Sequence, residues 1–85
     1  MALYQILLWQ EIPSQIKVWD DFDETKLELS SRFTAKIDQA AQSQGLTQTD
    51  DYLAQWKWSE EMEREGSVEE VAQALKNELE AKFSQ

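Results

Sequence analysis

Catalytic chemistry in a small protein starts with a nucleophile or proton carrier beside a partner group, and this chain has neither cysteine nor histidine to supply one. The remaining candidates are carboxylates, serine, threonine, tyrosine and lysine, and no pair of them falls into a recognisable motif. The densest acidic run, Asp20-Asp21-Phe22-Asp23-Glu24, is where a metal has to be considered. An oxygen-ligand calcium loop needs ligands at fixed alternating positions, a central glycine and a distal glutamate. That layout is missing, so the run reads as a solvated loop. Gly45 and Gly66 are the only glycines, which leaves no glycine-rich phosphate loop, and both suit punctuation between elements. A paired-carboxylate hydrolase would hold its acids in an apolar pocket, whereas nearly all the acids here fall on polar faces. The residues therefore predict no catalytic group, no metal site and no cofactor.

Recognition is better represented than reaction. The four tryptophans, Trp9, Trp19, Trp56 and Trp58, are a heavy share of an 85-residue chain. Tryptophan and tyrosine are enriched among interface hot spots, but a tryptophan also fills a small core, and the pattern around each one has to separate the two roles.

Composition narrows the partners. Seventeen acidic against eight basic residues give a net charge of −9, which argues against binding a phosphate backbone or an anionic membrane surface. The first ten residues are apolar but lack a basic leader and break at Gln10-Glu11, so they read as a strand and not as a signal peptide. No apolar run approaches the roughly 18 residues of a membrane span. The absence of cysteine fits a reducing compartment. A chain of this length makes one domain, residues 1–85, that buries only about 60–65% of its unfolded surface. The expected setting is the cytoplasm.

Periodicity then supplies the elements. In Leu3 to Trp9 both alternating sets are apolar, Tyr4, Ile6 and Leu8 on one side and Leu7 and Trp9 on the other, as in a central strand. Pro13, which lacks an amide donor and restricts Ile12, suggests a hairpin turn over Glu11 to Ser14. Gln15 to Asp20 alternates with Ile16 and Val18 inward and Lys17 and Trp19 outward. Thr25 to Leu29 reads as a short extended piece, and Ser30 as the cap of a helix whose stripe is Phe33, Ile37, Ala40 and Ala41, ending at Gly45.

After a capping threonine, Thr47 to Trp56 reads as one or two helical turns with Asp50 and Asp51 near its start. Trp56 to Arg64 alternates again, with Trp56, Trp58, Glu60, Met62 and Arg64 on one face, as a half-apolar edge strand would. Gly66 permits a sharp exit, and Ser67-Val68-Glu69-Glu70 is a capping box in which the Ser67 hydroxyl accepts near Glu70 and Glu70 reaches back to the Ser67 amide. Val68, Val71, Ala72, Leu75, Leu79 and Phe83 continue as a helical stripe, with Glu78 and Lys82 spaced as a surface pair.

These elements assemble into an α+β domain: a small antiparallel three-stranded sheet, first strand central, with two main helices and a short extra helix on one face. The other face is open, and alternation sends Leu7, Trp9 and Trp19 to it. One or both of Trp56 and Trp58 join them, and alternation alone does not assign their side.

Four segments in order carry a family likeness: Leu8-Trp9-Gln10-Glu11-Ile12-Pro13-Ser14-Gln15-Ile16, Leu29-Ser30-Ser31-Arg32-Phe33 with Ile37-Asp38-Gln39-Ala40-Ala41, Asp51-Tyr52-Leu53-Ala54-Gln55-Trp56, and Glu65-Gly66-Ser67-Val68-Glu69-Glu70-Val71-Ala72. Together they resemble the small bacterial virulence factor domain family, across nearly the whole chain. The family often carries a basic residue after the tryptophan, where this chain has Gln10. The resemblance implies no activity, because the family's name records a phenotype, and it transfers no catalytic residue.

The functional expectation is a non-enzymatic accessory or interaction module that binds a protein partner through the aromatic-bearing open face, with Leu7, Trp9, Trp19 and Trp58 as contacts. Self-association through that face or a strand edge, as a homodimer, is a variant of the same reading. The alternative is an acidic competitor in which Asp20, Asp21, Asp23 and Glu24 occupy a basic surface of a nucleic-acid-binding or regulatory protein. Nucleic acid itself and membrane insertion are not expected.

Overall fold

The computed structural model describes residues 1–46 and 49–82. Its elements are β1 (Ala2–Trp9), β2 (Ile12–Trp19), β3 (Glu24–Glu28), α1 (Ser31–Ser43), α2 (Asp50–Ala54), β4 (Trp56–Trp58), β5 (Met62–Arg64) and α3 (Val68–Lys82). The class is α+β, with an antiparallel sheet as expected.

The sheet has five strands, not three, and its order differs from the expected one: β3-β2-β1-β4, with β5 also paired to β1. The strand β1 is interior but shares that position with β2, because the extended piece after the acidic loop pairs as a full edge strand. Its register matches Ile16 with Leu27 and Val18 with Thr25.

Two irregularities separate the observed sheet from simple alternation. Pro13 lies within β2 and not in the turn: Leu7 pairs with Gln15 but Leu8 pairs with Pro13, so Ser14 is the extra residue of a bulge. A bulge tolerates a proline that cannot donate to the ladder. The turn itself is Gln10-Glu11, and Gln10 takes φ +56.

The second irregularity splits the expected Trp56 to Arg64 strand. Leu7 pairs with Trp58 and Tyr4 with Met62, so Ser59, Glu60 and Glu61 oppose only Gln5 and Ile6. The Ser59 hydroxyl accepts from the Ile6 amide at 2.9 Å, and the Ser59 amide donates to the Ile6 carbonyl at 2.8 Å. One added residue reverses which side every later residue faces. Trp56 and Trp58 consequently share the side of Leu7 and Trp9, while Met62 and Arg64 share the side of Tyr4 and Ala2.

Burial divides into two clusters. The first joins Ala2, Ile16 and Val18 of the sheet to Leu29, Phe33 of α1, and Val68, Val71, Ala72 and Leu75 of α3. The second joins Trp9 to Ile37 and Ala41 of α1, with Ile12, Tyr52 and Trp56 packed around them. The helix α1 thus serves both clusters, and it shares the first of them with α3 against Ile16 and Val18. Its Phe33-Ile37-Ala41 stripe was legible as one helical face.

The helix ends follow local chemistry, except that Ser30 stands at the N-terminus of α1 without a side-chain capping bond. After α1, Gly45 adopts φ +69, its amide returns to the Gln42 carbonyl, and the Leu46 amide returns to the Ala41 carbonyl, a Schellman closure. Thr49 caps α2 by accepting from the Tyr52 amide at 3.2 Å; Thr47 lies outside the described residues. Before α3, the Ser67 hydroxyl accepts from the Glu70 amide at 3.2 Å and donates to the Glu70 carboxylate at 3.1 Å, so the carboxylate meets the hydroxyl and not the Ser67 amide. Phe83 also lies outside the described residues. Glu78, which spacing would pair with Lys82, accepts two hydrogen bonds from the Arg64 guanidinium at 3.1 and 2.6 Å. That contact ties β5 to α3, holding the Glu78 carboxyl below its ordinary range and Arg64 above its own.

Gly66 sits at φ +124, and a Cβ there would meet Val71 Cγ2 at 3.3 Å. Because Val71 is buried in the first cluster, it has little room to yield. Gly66→Ala is expected to lose about 1–3 kcal/mol of stability, read from urea denaturation; a loss of a few tenths would mean that the turn relaxes freely.

Candidate functional site

Strand register defines the side of the sheet that Ile16 and Val18 do not face. Three rows run across it. The first aligns Glu63, Leu3, Trp19 and Glu24. The second aligns Gln5, Lys17 and Lys26. The third aligns Trp58, Leu7, Gln15 and Glu28. Beyond the bulge a fourth row, Trp56, Trp9 and Ile12, is roofed by α1 and Tyr52 as the second cluster.

Trp9 is therefore not an open-face residue. It is completely buried, its indole N–H donates to the Tyr52 carbonyl at 3.0 Å, and its ring lies 5.6 Å from that of Tyr52. Alternation put it on the correct side of β1, but at this end of the sheet that side is covered. Trp56 goes with it, its ring edge-on to Tyr52 at 6.2 Å. Gln10, next in sequence, exchanges two amide hydrogen bonds with Gln44 at 2.7 and 3.0 Å, which fastens the hairpin turn to the end of α1.

Leu7, Trp19 and Trp58 belong to neither cluster. Leu7 and Trp58 are direct cross-strand neighbours, and Trp58 is 44% exposed. Trp19 stands apart, opposite Leu3; four residues of strand, roughly 13 Å, separate Leu3 from Leu7. Between the two apolar pairs runs the Gln5-Lys17-Lys26 row. Lys17 Nζ lies 5.3 Å from the centre of the Trp19 ring and 3.4 Å from a Glu24 carboxylate oxygen. The face is thus two apolar spots around a polar, cationic strip. Leu3 was not singled out beforehand, although its two-residue steps to Leu7 made it readable as a member of the same face.

The acidic loop forms a separate feature. Asp20, Asp23, Glu24 and Thr25 line a groove of about 380 Å³ with Ser67, Val68 and Glu69 from the start of α3. Asp20 accepts from the amides of Phe22 and Asp23 at 2.8 and 2.7 Å, which holds its carboxyl below the ordinary range and shapes the loop as an Asx turn. Phe22 projects from that loop, 91% exposed. Among the described residues no group of acidic side chains is arranged to hold a metal ion, and no helix is long and apolar enough to cross a membrane.

A family model described as Virulence factor matches residues 7–85. No curated protein and no solved structure matches the chain.

Proposed function

Since the chain belongs to the virulence factor family, whose name specifies no reaction, we propose that it is a non-enzymatic accessory module acting in the cytoplasm, which binds a protein partner through the open sheet face carrying Leu3, Leu7, Trp19 and Trp58. The observation behind this reading is that these large apolar side chains stand outside both core clusters. A free sheet face in water favours polar residues, and Trp58, 44% exposed beside Leu7, and Trp19 beside Leu3 depart from that at two places. Trp9 plays no direct part in the reading, because it belongs to the core.

The test compares Trp19→Ala and Trp58→Ala with the unaltered protein in capture from an extract of the source organism. Each substitution should weaken capture of the same partner by at least about 2 kcal/mol, near thirtyfold, as hot-spot residues do. Stability should change by under about 1 kcal/mol, the range of cross-strand contacts. Unchanged capture with both variants would refute the reading.

The groove lined by Asp20, Asp23, Glu24 and Glu69 supports the second reading, an acidic competitor for a basic protein surface. Partner binding that does not weaken between low and high salt would dispose of it.

A further inference from the structure

The two edges of the sheet differ. On one side β4 and β5 have three residues each, and the Ser59 to Glu61 insertion kinks the line between them, which blunts that edge. On the other side β3 runs unbroken for five residues.

Hydrogen bonds flanking β3 show which of its main-chain groups are spare. The Leu29 amide donates to the Ser14 carbonyl at 3.0 Å and the Asp20 amide to the Asp23 carbonyl at 2.9 Å, and both pairs continue the β2–β3 register. In an antiparallel ladder bonded pairs alternate, so Ile16–Leu27 and Val18–Thr25 are the bonded ones. The amides and carbonyls of Glu24, Lys26 and Glu28 consequently point away from β2. No hydrogen bond from elsewhere in the described chain reaches them.

The same three residues are exposed, while Thr25 and Leu27 are half-buried. An incoming strand therefore meets a spare ladder bearing the charges minus, plus, minus on one side. Full antiparallel overlap with a second copy would set Lys26 against Lys26 and Glu24 against Glu28, and like charges directly opposite are destabilising; two chains of net charge −9 add to that repulsion. The complementary strand carries plus, minus, plus. Glu24 already lies near Lys17, whereas Glu28 has no ion-pair partner among the described residues, which leaves a place for a cation. Asp20, Asp23 and Glu69 extend the preference for a cation past the start of β3.

We infer that β3 is a docking edge for an extended basic segment of a partner protein, which adds to the sheet as a sixth strand through the main chain of Glu24, Lys26 and Glu28. The inference rests on the reading of the chain as a protein-binding module and names the chemistry of the segment, which pairs with the main-chain edge of β3, the strand opposite β4 and Trp58 in the sheet.

The probe is the synthetic peptide Thr-Lys-Val-Glu-Val-Lys-Thr, titrated into the full-length protein and followed by amide NMR shifts. Saturable binding should move the Glu24, Lys26 and Glu28 amides most. N-methylation of the peptide's two lysines and its glutamate removes the donors that face β3 and should weaken binding at least about tenfold. The charge-reversed peptide Thr-Glu-Val-Lys-Val-Glu-Thr should weaken it by a similar factor. The protein is unchanged in these arms, so folding does not confound them. Equal binding by the N-methylated peptide, shifts centred elsewhere, or no saturation at millimolar peptide would overturn the inference. Trp58→Ala, on β4 and three strands away from β3, should leave the peptide affinity within about twofold, so failure of the edge and failure of the tryptophan face are separable.

Discussion

Trp9→Ala should destabilise the domain by about 3–5 kcal/mol, the range for deleting a buried aromatic side chain. Stabilities of single domains run at about 5–15 kcal/mol, so the variant should be substantially unfolded at temperatures where the parent is native. Three losses combine at this position. The ring is completely buried against Ile37 and Ala41, so its removal leaves a cavity lined by a helix that cannot collapse onto β1 without moving. The Tyr52 carbonyl loses the indole donor at 3.0 Å and keeps only the Gln55 amide at 3.2 Å, a net loss of about 1 kcal/mol for one hydrogen bond. The tilted ring contact with Tyr52 disappears as well. Urea denaturation measures the effect, with Trp58→Ala as the comparison at an exposed position. Equal stability losses for the two variants would contradict the burial difference between them.

The second large effect is expected at Phe33. Phe33→Ala should also remove about 3–5 kcal/mol, because the ring is buried where β2 and α3 meet α1 through Ile16, Val18, Val71 and Leu75. Its consequence should spread differently from that of Trp9. The hold of α1 on the first cluster is lost, while Ile37 and Ala41 still hold it to Trp9. Hydrogen exchange should therefore speed up more in the first turns of α1 than in its last turn. Uniform acceleration along α1 would show that the two clusters open as one unit.

Much of the secondary structure was legible because its signals are local. The stripe from Val68 to Leu75, the capping residue Ser67, and the glycine stop at Gly45 each depend on residues within a turn or two of one another. Strand alternation was equally local and placed Ile16, Val18 and Trp19 on the sides where register puts them. What alternation could not reveal was the count across strands. Ser14 and the Ser59 to Glu61 insertion each add one residue opposite a partner strand, and that extra residue is visible only once the partner is known. The split between Trp58 and Met62 follows from it. So does the conversion of one long edge strand into two short ones.

The candidate site divides in the same way. Leu7, Trp19 and Trp58 lie together on one side of the sheet, as the alternation of each strand allowed, yet Trp19 is set apart from the other two by the Lys17 row. The spare main-chain groups of Glu24, Lys26 and Glu28 could not be anticipated from the short extended run, because edge status depends on what fails to pair with it.

By itself the sequence determined where the helices and most of the extended segments lie, which side of most strands is apolar, that the chain is strongly acidic, and that it lacks the thiol and imidazole groups of common catalytic sites. The tertiary structure decided which apolar sides are covered. Trp9 and Leu7 occupy the same side of the same strand, two residues apart, and one is core while the other remains outside it. The difference is that α1 and Tyr52 reach over the end of β1 and no element packs either cluster onto its middle from that side. Periodicity encodes direction relative to the strand, whereas burial depends on residues far away in sequence, and only the folded chain brings them there.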